Sequence, residues 1–352
     1  MIEKVINVFR DKTIDIMRGF AILFVVLGHV MSNSLFLKGW IYSFHMPLFF
    51  LISGMVFNTK KFSKFKDYFK YKVKKLILPY IYLSILLWIL YFLTNIGINL
   101  INGNVTNYKD LLMKFVYIFI GYRDKYYFSM WYLLVLFFIE LISYFYIKIN
   151  NNYIKYIGLL LISIIGYICG NYLNGFYYSL DLVPLGLTFF LMGYYFNKVK
   201  DKIKDKHIKF ILPGSLIINI VFCILNAFIC GRISFFANDL GNYFYFYLSS
   251  IGGMMFIYLI SRLIKNNSFL EYFGNNSLVI YTFNNSFAIL LVKSLLKHFN
   301  INNYGNIFQV LLCFSLVMII LICLCELINK YIPFVTGKSN SKCIFKKEEN
   351  VL

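Results

Sequence analysis

Apolar runs near or above the ~18 residues that mark a membrane-spanning candidate recur along the whole chain, separated by short segments rich in Lys, Asp, Glu and Asn. The pattern predicts spans at residues 14–35, 40–57, 76–98, 128–147, 154–173, 180–196, 210–230, 243–263, 277–296 and 307–328. The expected fold class is all-α: a polytopic membrane bundle of about ten transmembrane helices. Residues 1–352 read as one integral membrane domain, with 1–13 and 329–352 as polar ends and no appended soluble domain. No internal repeat is visible.

Composition removes the soluble alternative. The chain is 60% hydrophobic and only 14% charged, with a mean hydropathy of +0.69, and a water-soluble fold has nowhere to hide that surface. Arg10 and Lys12 precede the first apolar run as they do in a signal peptide. That run is too long, holds Arg18 and His29, and is not followed by a small-residue cleavage site, so a retained span is expected. Of the cysteines, Cys169, Cys223, Cys230, Cys313, Cys323 and Cys325 fall in or at the ends of spans, and Cys343 lies in the tail. None has metal-ligand spacing; they read as small apolar packing residues, and no metal is expected.

The net charge of +20 is a topological signal. An even number of spans puts both termini on one side, and most Lys and Arg residues fall there, above all between Lys60 and Lys75 and between Lys198 and Lys209. The opposite side holds only Lys38, Lys109, Lys114, Arg123, Lys125, Arg232, Lys293 and Lys297. The positive-inside rule then places both termini in the cytoplasm of a multi-pass protein of the cell (plasma) membrane. Basic residues scattered over inter-span loops are not a nucleic-acid surface, so no nucleic-acid partner is expected. The two lysine clusters fit solvated topology determinants and anion sites equally well. The longest outward segment, 99–127, carries the turn signal Asn102-Gly103-Asn104 and an apolar stretch from Leu111 to Gly121, which makes it a candidate lid.

Ionisable residues inside spans are costly in lipid, so they face the bundle interior and mark function. In the first span Asp15, Arg18, Ile22, Val25 and His29 follow one another at spacings of three or four and share a helix face. Arg18 and His29 are about three turns apart, with ~16 Å of rise. His45, in Phe44-His45-Met46-Pro47, lies at about the depth of His29 in the adjoining span. A neutral imidazole there accepts a proton from a substrate hydroxyl; the alternative is an interhelical hydrogen bond that only joins two helices. Glu140 and Glu326 read first as partners for lysines at span ends and second as site residues, His207 and His298 as solvated, and Trp131 as part of an interfacial aromatic belt.

These residues, taken in order, resemble the acyltransferase family 3 membrane proteins, which O-acylate surface polysaccharides and include the fucose 4-O-acetylase-like enzymes. The resemblance rests on Asp15-Ile16-Met17-Arg18-Gly19 running to Gly28-His29, on Phe44-His45-Met46-Pro47 with Ser53-Gly54, and on Lys72 to Lys75 leading into Pro79-Tyr80. Trp131-Tyr132-Leu133, Pro184 with Phe189-Phe190 to Gly193, and Phe273-Gly274-Asn275-Asn276-Ser277 with Ile280-Tyr281 complete it. It departs from the family where Asn284 follows Thr282-Phe283 in place of a frequent His, since Asn orients a group but takes no proton. Lys72 and Lys75 stand where Arg is common, which keeps the charge and loses the bidentate fork.

The resemblance implies transfer of an acyl group, usually acetyl, from cytoplasmic acyl-CoA as co-substrate, with no tightly bound cofactor. The acceptor it implies is a carbohydrate hydroxyl, on a polysaccharide or lipid-linked glycan, at or beyond the outer face. Arg18, Lys72 and Lys75 are then the contacts for CoA phosphates. His29 acts as base or carries the acyl group, His45 assists, and Asp15 holds Arg18. Arg123, with Asp124 and Lys125, and also Trp131 and Asn284 are candidate acceptor contacts. Polysaccharide-synthesis or export proteins are possible partners, beside the bilayer itself. A carrier or flippase for a lipid-linked saccharide, and a non-catalytic subunit of an export system, share the same spans. Paired broken helices in two related halves would mark the carrier.

Overall fold

The computed structural model describes residues 11–32, 36–121, 130–172, 176–231 and 233–337. Among them there is no strand, only an isolated antiparallel bridge between Ser234 and Asp239. The helices in chain order are α1 (Lys12–Val30), α2 (Phe36–Tyr42), α3 (His45–Met55), α4 (Phe65–Lys72), α5 (Leu78–Ile101), α6 (Tyr108–Ile120), α7 (Trp131–Tyr146) and α8 (Asn152–Tyr172). They continue as α9 (Val183–Val199), α10 (Asp205–Cys230), α11 (Tyr243–Ile264), α12 (Ser268–Asn275), α13 (Ser277–Phe283), α14 (Leu290–His298) and α15 (Ile307–Tyr331). A π-helical segment, Val73–Ile77, joins α4 to α5, and a second, Asn284–Ile289, joins α13 to α14.

Among the described residues eight helical stretches are long and apolar enough to cross a membrane, and the protein is an all-helical polytopic membrane protein. Two expected spans come out differently. The one at 128–147 is the shorter α7, of 16 residues. The one at 40–57 is broken into α2 and α3. Pro47 lacks the N–H that would bond the Ser43 carbonyl one turn back. The Ser43 hydroxyl instead donates to the Trp40 carbonyl at 2.8 Å, and Phe44 leaves the helical region at φ −143°. The freed Ser43 carbonyl accepts from Ser250 Oγ of α11 at 2.6 Å.

The chain divides into two compact units. The first gathers the described residues of Met1–Phe57, Asn151–Asn174 and Pro184–Ser277: α1 to α3, α8, α9 from Pro184, and α10 to α12. Two helix crossings in it depend on glycine. A Cβ on Gly274 would stand 2.1 Å from the Asp15 carbonyl oxygen, and one on Gly19 2.3 Å from that of Leu270, so α12 lies directly on the backbone of α1. Gly54 and Gly193 make the same reciprocal approach between α3 and α9, each facing a carbonyl of the other helix at 1.8 to 2.0 Å. Small residues at such crossings give the close packing that joins helices in lipid. Along α8, by contrast, Ile157, Leu160, Leu161, Ile164, Ile165 and Ile168 are exposed, as expected of a lipid-facing surface.

The second unit gathers Asn58–Asn150, Gly175–Val183 and the described residues from Leu278. In it the described part of the 99–127 segment, expected as a lid, carries α6, which is docked along α5. Tyr80 Oη donates to the Ile118 carbonyl at 2.7 Å and Trp88 Nε1 to that of Leu111 at 2.9 Å. Lys114, expected as a loop charge, is buried: its ammonium donates to Tyr91 Oη at 3.0 Å and pairs with Asp110 at 3.2 Å. Gly121 closes α6 at φ +68°, the left-handed C-terminal conformation that glycine adopts without strain.

Candidate active site

The centre of the site lies in the first unit, where α1 ends and the break between α2 and α3 begins. A Cβ on Gly28 would stand 2.9 Å from the Tyr42 ring, so glycine there lets that ring lie against α1. Tyr42 Oη is 3.4 Å from His29 Nδ1. On its other side the Tyr42 ring meets the His45 imidazole at a centroid distance of 4.8 Å. The two histidines of adjoining segments thus flank one tyrosine.

His45 is 6% exposed, and its Nδ1 stands 2.9 Å from the Ile41 carbonyl. A carbonyl only accepts, so Nδ1 carries the proton and neutral His45 has Nε2 as its basic nitrogen. Lys38 completes the cluster. Its ammonium donates to the Met31 carbonyl, at the C-cap of α1, at 2.8 Å and stands 5.6 Å from the Tyr42 ring centroid. The helix C-terminus carries partial negative charge, which favours a cation there. Lys38 was expected in an outer loop; it is buried instead.

A buried polar network holds the break that presents Tyr42 and His45. Asn219 of α10 donates through Nδ2 to Ser43 Oγ at 3.1 Å, to the Ser249 carbonyl at 2.8 Å and to Ser249 Oγ at 3.0 Å. Ser250 takes the Ser43 carbonyl, as described above. The Phe44 ring lies where a Cβ on Gly253 would be 2.5 Å away, and it packs edge-on against Trp40 and Phe24. Lipid offers these polar groups no alternative partners, so the network fixes the break.

At the other end of α1, Arg18 Nη1 stands 3.6 Å from Asp15 Oδ1, the guanidinium side chain 29% exposed and the carboxylate 6%. Asp11 caps the helix by accepting from the Thr13 N–H at 3.0 Å, and Lys200 pairs with it. Burial works against the Asp11 carboxylate, but the Lys200 ammonium and the Thr13 N–H outweigh it and hold its pKa below the usual value. Lys12 reaches Asn266 at 2.8 Å, and Arg262 holds the Ile203 carbonyl at 2.6 Å and Asp205 at 2.7 Å. In the basic 198–209 loop Lys200 is therefore tied to Asp11, and the loop's own Ile203 carbonyl and Asp205 carboxylate are held by Arg262.

The second unit holds the remaining expected residues. Lys72, at the end of α4, forms an ion pair with Glu140 of α7, with side-chain exposures of 14% and 9%. The rings of Tyr68 and Tyr71 stand 5.4 and 5.5 Å from the same ammonium. Lys75, inside the π segment, donates to the Gly337 carbonyl at 2.6 Å and is exposed. Arg18 and the two lysines are thus divided between the units. Asn284 opens the second π segment, its Nδ2 donating to the carbonyls of Ile280 (3.1 Å) and Tyr281 (2.6 Å), which the irregular helix frees. Thr282 Oγ1 lies 3.1 Å from Met130 Sδ, and Tyr281 packs on Tyr132, so the start of α7, with buried Trp131, adjoins the stretch ending at Asn284. Arg123, Asp124 and Lys125 lie outside the described residues.

A family model described as an acyltransferase domain, that of acyltransferase family 3, matches residues 11–326. The chain belongs to acyltransferase family 3. No curated protein and no solved structure matches it. The matched region of this membrane acyltransferase takes in the whole His29–Tyr42–His45 cluster and the Asp15–Arg18 pair. Two members of the cluster were missed by sequence reasoning. Tyr42 is not singled out by the sequence pattern, although its spacing of three from His45 across a prolyl break carried a signal. Lys38 passed for a loop charge, although it lies only seven residues from Met31, the C-cap of α1.

Proposed function

We propose that this acyltransferase moves an acyl group, acetyl in the simplest case, from cytoplasmic acyl-CoA to a hydroxyl of a surface or exported carbohydrate. The observation that carries the reading is the His29–Tyr42–His45 cluster, buried at His45 and half-buried at His29 and Tyr42, at the far end of the helix that bears Arg18. His29 removes the proton of the acceptor hydroxyl as its oxygen attacks the thioester carbonyl. The new C–O bond forms, the C–S bond breaks, and the imidazolium returns the proton to the CoA thiolate. Tyr42 orients the imidazole, His45 holds the tyrosine ring, and the Lys38 ammonium favours the negative charge that develops on oxygen. The ~16 Å of rise between Arg18 and His29 suits an extended thiol arm whose phosphates remain at the basic end. Because Lys72 is paired with Glu140, Arg18, at the basic end of the helix that bears His29, is the better phosphate contact.

The test is mass spectrometry of surface and secreted glycans from cells carrying the wild type or His29→Ala. Loss of one acyl mass increment, with the variant inserted at wild-type level, is the expected result. Unchanged glycans with the variant would overturn the assignment of His29, and unchanged glycans on deleting the gene would overturn the carbohydrate acceptor.

A further inference from the structure

A cleft of about 430 Å³ opens in the first unit between the C-terminal half of α8 and the loop joining α10 to α11. It is lined by Gly166, Tyr167 and Gly170 on one side and by Ala237–Gly241 and Tyr243 on the other. Its size falls in the range of roughly 300–1,000 Å³ typical of small-molecule sites.

The loop wall is rigid. Asn226 donates to the Leu240 carbonyl at 2.9 Å and accepts from the Asn242 N–H at 2.8 Å. Ser234 and Asp239 exchange both backbone hydrogen bonds, at 2.7 and 3.0 Å. Phe235 is 1% exposed and stacks on Phe50 of α3, five residues from His45, at 5.5 Å. Asn238 is held at φ +54°, a conformation Asn tolerates better than most residues. Opposite, Gly170 lets α8 pack close to this loop at the edge of the cleft: a Cβ there would stand 3.1 Å from the Asn238 side chain.

The lining chemistry selects the ligand. Tyr167 is 47% exposed, an aromatic face beside the exposed Asp239 carboxylate and the Asn238 amide. Among the described lining residues the charged side chain is that of Asp239, which repels an anionic headgroup. A neutral polyhydroxyl ring meets an aromatic face and hydrogen-bond acceptors. Tyr243 and Ser250 lie seven residues apart on α11, about 10 Å of rise, and Ser250 holds the Ser43 carbonyl next to Tyr42.

We infer that this cleft binds a neutral sugar residue of the acceptor, next to the one that is acylated, and so sets acceptor choice. The inference rests on the carbohydrate acceptor proposed above. It is tested with the full chain in nanodiscs, radiolabelled acetyl-CoA, and O-deacylated surface polysaccharide from gene-deleted cells. Gly170→Leu crowds the Asn238 wall of the cleft and Asp239→Asn removes its charge at constant volume. Both are expected to raise the acceptor KM about tenfold or more while the acetyl-CoA KM stays within about twofold. Unchanged acceptor KM in both variants, with His29→Ala inactive, overturns the cleft and spares the proposed reaction. Saturation-transfer NMR with oligosaccharides cut from the same polysaccharide is the second arm. Contact that is lost in Gly170→Leu, in a protein that transfers no acyl group, supports the cleft and overturns the reaction. Contact that follows the phosphatidylglycerol content of the nanodisc and ignores the oligosaccharide overturns the sugar assignment.

Discussion

Tyr42 stands between two histidines, its hydroxyl 3.4 Å from His29 Nδ1 and its ring on the imidazole of His45. A hydroxyl so placed orients His29 without holding a proton that the chemistry consumes. Tyr42→Phe keeps the ring and its packing, so insertion and thermal stability are expected to be unchanged while kcat falls about tenfold to a hundredfold. Acyl transfer measured on purified protein checks this, and a fully active Tyr42→Phe would leave the ring as packing alone.

Asn219 acts on the site through Ser43. Asn219→Leu removes three hydrogen bonds and leaves Ser43 and Ser249 groups buried without them, a cost of about 1–3 kcal/mol. Because the break then loses its anchor on α10, kcat is expected to fall about tenfold with the acyl-CoA KM within about twofold. A drop in stability without that kinetic split would make Asn219 a packing residue only.

Lys72 and Glu140 are expected to behave as a buried pair. Glu140→Leu strands the ammonium and is expected to cost about 3–5 kcal/mol, whereas Lys72→Met combined with Glu140→Leu recovers most of it. Thermal unfolding in detergent reads both. The same double variant is expected to keep the acyl-CoA KM within about twofold, and a large rise would return Lys72 to the phosphate site.

The Asp11–Lys200 contact gives a pH-dependent term. The folded carboxylate has a lowered pKa, so its contribution is present above the unfolded value near 3.8 and is lost as pH falls through the folded value. With Asp11 36% exposed, solvent screening keeps the contribution to about 1 kcal/mol or less. Asp11→Asn is therefore expected to lower the melting temperature slightly at neutral pH, and the gap from wild type to close in acid. A gap that is constant from pH 7 to pH 3 would argue against the ion pair.

Most of the fold was legible because lipid enforces it. A backbone that crosses hydrocarbon must satisfy its hydrogen bonds internally, so long apolar runs become helices wherever they occur. The runs at 243–263 and 307–328 start where α11 and α15 start and end within three residues of where they end, and the run at 14–35 differs from α1 by two residues at its start and five at its end. Where the reading failed, a single residue decided against the run. Pro47 left the Ser43 carbonyl without a donor and broke the expected span, a local rule outweighed in the reading by continuous hydropathy. Lys38 and Lys114 were taken as loop charges because the sequence shows that they flank spans, while burial depends on partners 7 and 23 residues away.

By itself the sequence determined the membrane class, the helix that carries Asp15, Arg18 and His29 on one face, and the motif order of the family. Those properties are local: each follows from hydropathy or from the 3.6-residue period of one helix. Tertiary structure alone decided that Tyr42 joins His29 to His45, that Lys72 is occupied by Glu140, and that Gly19 and Gly274 let α12 rest on α1. Each of these is a contact between segments far apart in the chain or across a break in a helix. No periodicity encodes such a contact, because it depends on which side chains meet when the helices pack.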